Sequence, residues 1–405
     1  MTRTAACPAR FRGTVGQAAA RRRPALSLAL ALAATALSWP AAHAAAPAAD
    51  APPAFREATF EQGRLRYVNH LPVLTVAGTP EEIGRQKAAL LAEAVRQLAD
   101  YPKRLVTALG REDRWEKLVT MGRRLGPQIP PDHAAEMRAF AVAFGGDREL
   151  GLVANTLMDT YRGSFACSSL LIEPARSATG GPLFARNLDF FTLDLLQKYS
   201  LVLVHRPQGK RAFAAVGFPG LFGCLSGMND AGLAVAVHEV YLAQDNAPIF
   251  NPQGVPYTFA FRRVLEECAT VAEAEKLLGK LPRTTMLNLA VCDARQAAVF
   301  EMTAKTLAVR RAEDGLAVCT NHFRSPELVI LPWCRRYGEL LKAREQPKLD
   351  VAAMAKKLDE VHQGRMTVQS MIFEPAALRL HLAIGPCPAS SQPFRALELR
   401  GLYKD

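Results

Sequence analysis

The chain has 405 residues, of which 49% are hydrophobic and 22% charged, a balance that suits a globular protein with a large core. The net charge of +12 is concentrated at the start: residues 1–44 hold six arginines and no acid, and removing them leaves about +6. No dense Lys/Arg stripe with interleaved aromatics follows, which argues against a nucleic-acid-binding protein.

The N-terminus reads as an export signal. Arg21, Arg22 and Arg23 precede an apolar run from Ala25 to Trp39, and Ala42-His43-Ala44 offers a small-x-small cleavage site before Ala45. The run is too short to span a bilayer comfortably, so a cleaved signal and a periplasmic or secreted destination are expected rather than a stable membrane anchor. Ala45–Ala54 is an Ala/Pro-rich lead-in. The cysteines beyond residue 44 are Cys167, Cys224, Cys268, Cys292, Cys319, Cys334 and Cys387, an odd set that cannot all pair with one another. No CxxC and no Cys/His cluster with zinc spacing occurs, so no metal site is expected.

In chain order, Arg64–Ala77 alternates as one strand. Thr79 with Glu82 forms a capping box, with Pro80 at the first helical position, and Ile83, Leu90, Leu91, Ala94, Val95 and Leu98 mark one face of the helix that follows. Helices are predicted over Asp113–Leu125, His133–Phe144 and Leu150–Tyr161. From Cys167 the character changes. Ser168–Ile172 and Leu183–Asn187 read as a hairpin around Gly180-Gly181, and strands continue over Leu201–His205, Phe213–Phe218, Cys224–Met228 and Leu233–Val240. Helices over Thr258–Cys268 and Val271–Leu278 precede a four-strand meander, Met286–Cys292, Ala297–Met302, Thr306–Arg310 and Leu316–Thr320. Helices over Leu331–Ala343 and Val351–Val361 and a hairpin of Met371–Glu374 with Leu378–Ala383 complete the chain. Antiparallel strand groups separated by helix pairs predict a layered α+β fold, with two antiparallel sheets and helices outside.

Three places carry candidate chemistry. Gly163-Ser164-Phe165-Ala166-Cys167-Ser168-Ser169 sets a cysteine among small residues at the start of a strand. Ala185-Arg186-Asn187-Leu188-Asp189 ends an apolar strand in charged and polar groups, with Arg186 and Leu188 expected on one face and Asn187 and Asp189 on the other. Val318-Cys319-Thr320-Asn321-His322 ends another strand in Asn and His. Each alone is ordinary; their order together resembles the Cys-Ser/Thr … Gly-Arg-Asn-x-Asp pattern of the N-terminal-nucleophile cysteine hydrolases, among them choloylglycine hydrolases, penicillin V acylases, acid ceramidases and isopenicillin N acyltransferases. Ser226-Gly227-Met228-Asn229-Asp230-Ala231-Gly232-Leu233 and Cys319-Thr320-Asn321 continue the likeness. Gly78–Gln86 and the long segment before Cys167 resemble the autoproteolytic acyltransferase branch, peptidase family C45.

The resemblance implies a four-layer αββα sandwich. It implies self-cleavage between Ala166 and Cys167, giving a mainly helical fragment over 45–166 and a catalytic fragment over 167–405 that stay associated. The freed α-amine, of reference pKa about 7.7–8.0, would serve as the base beside its own thiol, so neither a catalytic His nor any metal or organic cofactor is needed. Arg186 would favour thiolate, Asp189 would hold the α-amine, and Asn321 would donate to the developing oxyanion. Arg336, which aligns with a later family arginine, and Asn229, in the turn motif, are further candidates to bind substrate or the oxyanion, as is His238. Where bile-salt hydrolases carry a second oxyanion Asn, this chain has His238-Glu239, and Glu239 is expected to read a polar group of the substrate. The implied substrate is a small acylated amide attacked through a Cys167 thioester. Two alternatives stay open: a papain-like hydrolase pairing Cys167 with His322 or His238 without self-cleavage, and an exported binding protein with an inactive site.

Overall fold

The computed structural model describes residues 54–163 and 165–404. The expected export signal over 1–44 lies outside the described residues. Three strands open the description: β1 (Ala58–Phe60), β2 (Gly63–Val68) and β3 (Leu71–Gly78). The single strand expected over Arg64–Ala77 is therefore a hairpin. Asn69 and His70 both take positive φ, 48° and 63°, as a tight two-residue turn demands, and without a glycine the turn left little trace in the sequence. Five helices follow: α1 (Pro80–Leu98), α2 (Tyr101–Ala108), α3 (Trp115–Leu125), α4 (Pro131–Phe144) and α5 (Arg148–Thr160). The Thr79 capping box is present in both directions. Gly84 lets α1 lie against α4; a Cβ there would sit 2.4 Å from the Glu136 carbonyl oxygen.

Next come β4 (Phe165–Ile172), β5 (Leu183–Phe190), β6 (Leu201–Pro207), β7 (Phe213–Gly217), β8 (Ser226–Asn229) and β9 (Ala234–Glu239). After α6 (Tyr257–Glu267) and α7 (Val271–Lys280) come β10 (Leu287–Cys292), β11 (Ala297–Met302), β12 (Leu307–Arg311) and β13 (Leu316–Cys319). The chain ends with α8 (Arg335–Leu341), α9 (Val351–Asp359), β14 (Thr367–Glu374), β15 (Arg379–Ile384), β16 (Arg395–Glu398) and the short α10 (Leu399–Leu402). The helix expected from Leu331 begins only at Arg335. Pro332 disfavours helical geometry in the residue before it and lacks an N–H to donate.

The strands form two sheets. Ten run in the order β1-β2-β3-β6-β7-β8-β9-β10-β11-β12, and six in the order β13-β4-β5-β14-β15-β16. All pairings are antiparallel except that of β3 with β6. The expected four-strand meander is thus broken: β13 leaves β12 and pairs with β4 in the other sheet. Asp314 and Gly315, both at positive φ, turn the chain across.

Alternation sorts the side chains into layers. Val202, Val204, Ala214 and Ala236 of the large sheet meet Leu171, Phe184, Met371 and Phe373 of the small one in a common core. On the outer face of the large sheet, Leu74, Val76, Leu201 and Leu203 pack on Ile83 and Leu91 of α1 and Phe140 of α4, while Val235, Leu289 and Phe300 pack on α6 and α7. On the outer face of the small sheet, Leu170, Ile172, Ala185 and Val318 pack on Leu340, Met354 and Leu358 of α8 and α9. The architecture is α+β, a four-layer αββα sandwich with a helical N-terminal part.

The N-terminal helices are joined to the rest by buried charge. Lys87 of α1 meets Glu136 of α4 at 2.6 Å, and Arg262 of α6 bridges Glu136 at 2.6 Å and Glu266 at 2.7 Å. Glu266 also accepts from Lys210 at 2.9 Å and lies 2.9 Å from His133 Nε2. Burial pushes the Glu136 carboxyl up, but Arg262 and Lys87 outweigh it and hold the group down to about 2. Burial, and then the Arg262 charge, lowers His133, which is neutral at pH 7. Both groups make the folded state lose stability in acid. The unfolded chain protonates histidine below about pH 6.5 and glutamate below about pH 4.5, while the fold resists both until lower pH. Stability measured by denaturant unfolding is therefore expected to fall from about pH 6.5 downward, with a further loss between pH 4.5 and 2. Glu136→Gln is expected to reduce that second loss, to which the lowered Glu266 also contributes, and, by breaking a buried ion pair, to cost about 3–5 kcal/mol at pH 7.

Candidate active site

Two registers assemble the site. In the β13–β4 pairing Leu316 faces Ile172 and Cys319 faces Ser169, so two residues further on Asn321 comes opposite Cys167. In the β4–β5 pairing Cys167 faces Leu188 and Ser169 faces Arg186, which makes Arg186 the diagonal neighbour of Cys167 on the same face. The alternation expected for β5 holds. Arg186 points between the sheets, whereas Asn187 bonds the Leu358 carbonyl on the helix side and Asp189 meets Arg336.

Cys167 is 1% exposed, and its Sγ accepts a hydrogen bond from Arg186 Nη2 at 3.2 Å. The guanidinium is fully buried; it also donates to the carbonyls of Leu225 (2.8 Å) and Val237 (3.2 Å) and to the Ser226 hydroxyl. Burial raises the Cys167 thiol above its ordinary range, against the pull of the Arg186 charge, so in the uncut chain the thiol is protonated at neutral pH. The backbone N–H of Cys167 donates to Asn321 Oδ1 at 2.8 Å. Arg336 of α8 donates to the Cys167 carbonyl at 2.6 Å and to Asn321 Oδ1 at 2.9 Å, and its Nη1 lies 3.5 Å from Asp189. Asp189 is fully buried and also accepts from Thr367 Oγ1 at 2.5 Å and Gln363 Nε2 at 3.4 Å; burial raises its carboxyl despite Arg336 and Thr367.

Cys167, Arg186, Asp189, Asn321 and Arg336 are thus brought together around one residue. The partners differ from those the resemblance implied. The Cys167 N–H lies on Asn321 rather than Asp189, and the Asn321 amide donates to the Glu239 carbonyl at 2.8 Å.

Glu239 grips the segment ahead of Cys167. Its carboxyl accepts from the Gly163 N–H at 3.2 Å, lies 3.8 Å from Arg162 Nε, and is pushed by burial up to about 7, with Arg162 opposing. Tyr241, which the sequence motifs did not mark, donates to the Phe165 carbonyl at 2.6 Å and lies 3.2 Å from Glu239. Arg162 donates to the Val240 carbonyl and sits over the Tyr241 ring. Thr367 and Gln363 were also missed. Only their spatial approach to Asp189 marks them.

The histidines of the papain-like alternative have other partners. His238 Nε2 lies 2.9 Å from Ser169 Oγ, and burial lowers its imidazole well below its ordinary range, so it is neutral. His322 bonds Cys334. Burial opposes ionisation of the Cys334 thiol, but the His322 bond and the Arg336 charge bring it down to about 6. At pH 7 iodoacetamide is expected to alkylate Cys334 before Cys167 in the uncut chain, as read by peptide mass spectrometry, and Cys334→Ser is expected to abolish the fast phase.

Asn229 requires a correction. Its amide nitrogen donates to the carbonyls of Leu265 (2.9 Å) and Cys268 (2.7 Å), and its oxygen accepts from the N–H groups of Ala231 and Leu233. The side chain organises the β8–β9 turn and does not reach the site, because every polar atom it has is spent on backbone. Asn229→Ala is expected to cost about 1–3 kcal/mol in denaturant unfolding, by orphaning buried carbonyls, and to leave the chemistry at Cys167 intact. Among the described residues no cluster of three or more His, Cys, Asp or Glu could hold a metal, and no helix is long and apolar enough to cross a membrane.

A cavity of about 420 Å³ lies between the N-terminal helices and the sheets, walled by Leu98, Tyr101, Phe140, Phe144, Leu157 and Phe190 among others. The Phe190 ring also stacks on Phe165, two residues before Cys167, at 4.2 Å.

Residues 176–371 match the family model described as acyl-coenzyme A:6-aminopenicillanic acid acyl-transferase. An uncharacterized protein of Archaeoglobus fulgidus is 22% identical over 319 residues, covering 66% of this chain and 51% of its own. The chain thus spans about half the length of the curated relative it matches. Among solved structures, an N-acylethanolamine-hydrolyzing acid amidase ortholog from Caenorhabditis elegans aligns with a TM-score of 0.42 at 18% identity, over 52% of this chain and 93% of that one. The penicillin V acylase of Agrobacterium tumefaciens aligns at 0.40 and 16%, over 54% and 84%. A variant of the conjugated bile acid hydrolase of Clostridium perfringens aligns at 0.40 and 14%, over 58% and 93%.

Proposed function

We propose that the chain cuts itself between Ala166 and Cys167 and then hydrolyses or transfers an amide-linked acyl group through a Cys167 thioester. The observation that carries this reading is the convergence on one residue: a cation on the sulfur, an amide oxygen on the nitrogen and a second cation on the carbonyl. In the first step Sγ attacks the Ala166 carbonyl carbon and the C–N bond breaks, with the departing nitrogen taking a proton to become the Cys167 α-amine. Water then cleaves the thioester, leaving an Ala166 carboxylate and a free thiol. Glu239 and Tyr241 support the step by fixing Gly163 and Phe165, the residues around the scissile end. In turnover the same thiol attacks the substrate amide with the α-amine as base.

The substrate class follows from the cavity. Its walls are mainly aliphatic and aromatic, with Arg138, Asp147 and Arg148 also on the lining, and Phe190 in the wall stacks on Phe165, two residues before Cys167. Release of the Phe165–Ala166 end after cleavage would join the cavity to the thiol, so the acyl group is proposed to be apolar, and the bond cut a linear amide. Export to the periplasm or beyond stays part of the proposal and rests on the N-terminal sequence alone.

The test is the intact mass and N-terminal sequence of the purified chain beside Cys167→Ala. Two co-purifying fragments, one beginning at Cys167, and a single uncut variant are expected. One uncut chain in both preparations, with activity lost on replacing His322 or His238, would transfer the reading to the papain-like alternative. Uncut chains with no amidase activity would leave the binding-protein reading.

A further inference from the structure

Among the described residues, few large apolar side chains are exposed to solvent, and several of them lie on two loops. Ile330, Leu331 and Trp333 lie on the stretch before α8, where Pro332 keeps the chain out of the helix; Leu331 is 62% exposed and Trp333 81%. Ile249, 61% exposed, lies on the loop that follows Glu239–Tyr241. The loops are tied at their bases. The Gln244 N–H donates to the Leu328 carbonyl at 3.2 Å, and Ala247, Phe323, Leu328 and Met286 share a small core. Both loops run out from residues of the site: Glu239 and Tyr241 precede one, and Asn321 and Arg336 lie at the two ends of the other.

Charge around the rim has one prevailing sign. Arg335 is exposed, Arg324 rests on the Tyr337 ring and bonds the Pro332 carbonyl, and Lys305 bonds the Asn246 carbonyl. Of the acids on these loops, Asp245 is engaged by Thr303, which leaves Glu327 exposed. An exposed Trp with Leu and Ile beside cationic side chains has the composition of a segment that sits at the headgroup level of a bilayer, rings and aliphatic groups inward and guanidinium groups toward phosphate.

We propose that the Ile330–Trp333 loop, with Ile249 beside it, docks the protein on an anionic lipid surface and holds the mouth of the Cys167 site against it. An acylated substrate dissolved in the bilayer would then reach the thiol without passing through water. Docking is read without turnover, so its failure and that of the proposed reaction are distinguishable.

The experiment is co-sedimentation of the full chain with vesicles of phosphatidylcholine and phosphatidylglycerol, with tryptophan emission recorded in parallel. Binding with blue-shifted emission is expected. It should weaken as salt is raised, because the headgroup attraction is screened. Leu331→Ser/Trp333→Ser is expected to bind at least about tenfold more weakly, since it removes the inserted groups. Cys167→Ala, and Val142→Ser at an exposed apolar position elsewhere, should bind as the parent does. Unchanged circular dichroism and denaturant midpoint guard against a folding defect in the double variant. No vesicle binding by the parent, or equal binding by the double variant, would overturn the proposal. So would a dimer that the double substitution dissolves in light scattering, which would make the rim a contact between copies of this chain.

Discussion

A guanidinium sealed between two sheets is the constraint around which the site is arranged. Arg186 is fully buried, and among the described residues no carboxylate pairs with it directly. Its charge is met instead by carbonyl oxygens, a hydroxyl and one sulfur. Leaving such a group without partners would cost several kcal/mol. The edges of β8 and β9 are therefore held where their carbonyls can reach it, and β4 where its cysteine can. The same placement concentrates positive potential on Cys167, opposing the desolvation that keeps the thiol protonated.

Around this centre the chain is held by two different kinds of contact. The core between the sheets and the buried ion network from Lys87 to Glu266 share no residue with the segment before Cys167, so the proposed cut would leave their contacts in place. The segment Arg162–Phe165 is held by contacts of another kind: a carboxyl near neutrality, a phenol and a cation over a ring. These contacts can be given up without disturbing the core.

Much of this was legible in the chain itself. The hairpin of β4 and β5 carried its Gly-Gly turn, Arg186 and Asp189 stood at opposite phases of a two-residue repeat, and the capping box at Thr79 announced α1. What escaped was what depends on partners distant in sequence. Thr306–Arg310 and Leu316–Thr320 look like successive strands of one meander, yet the second belongs to the other sheet, and only that crossing brings Asn321 to Cys167. Asn229 sat in a family-like turn motif, but its amide serves the turn. Tyr241, Thr367 and Gln363 carried no local signal, because neither spacing nor neighbours distinguish a side chain that reaches across sheets.

The pairing of β3 with β6 has a consequence for the life of the protein after any cut at Cys167. The N-terminal part supplies β1, β2 and β3 to the large sheet, and β6, apolar on both faces, is covered along its edge by β3 alone. Loss of that part would lay bare an unpaired, two-faced apolar strand, a template for sticking to other chains. In a chain cut there, the N-terminal part would serve as a lifelong chaperone of the remainder, and a processed molecule that shed it would be lost to aggregation rather than liberated.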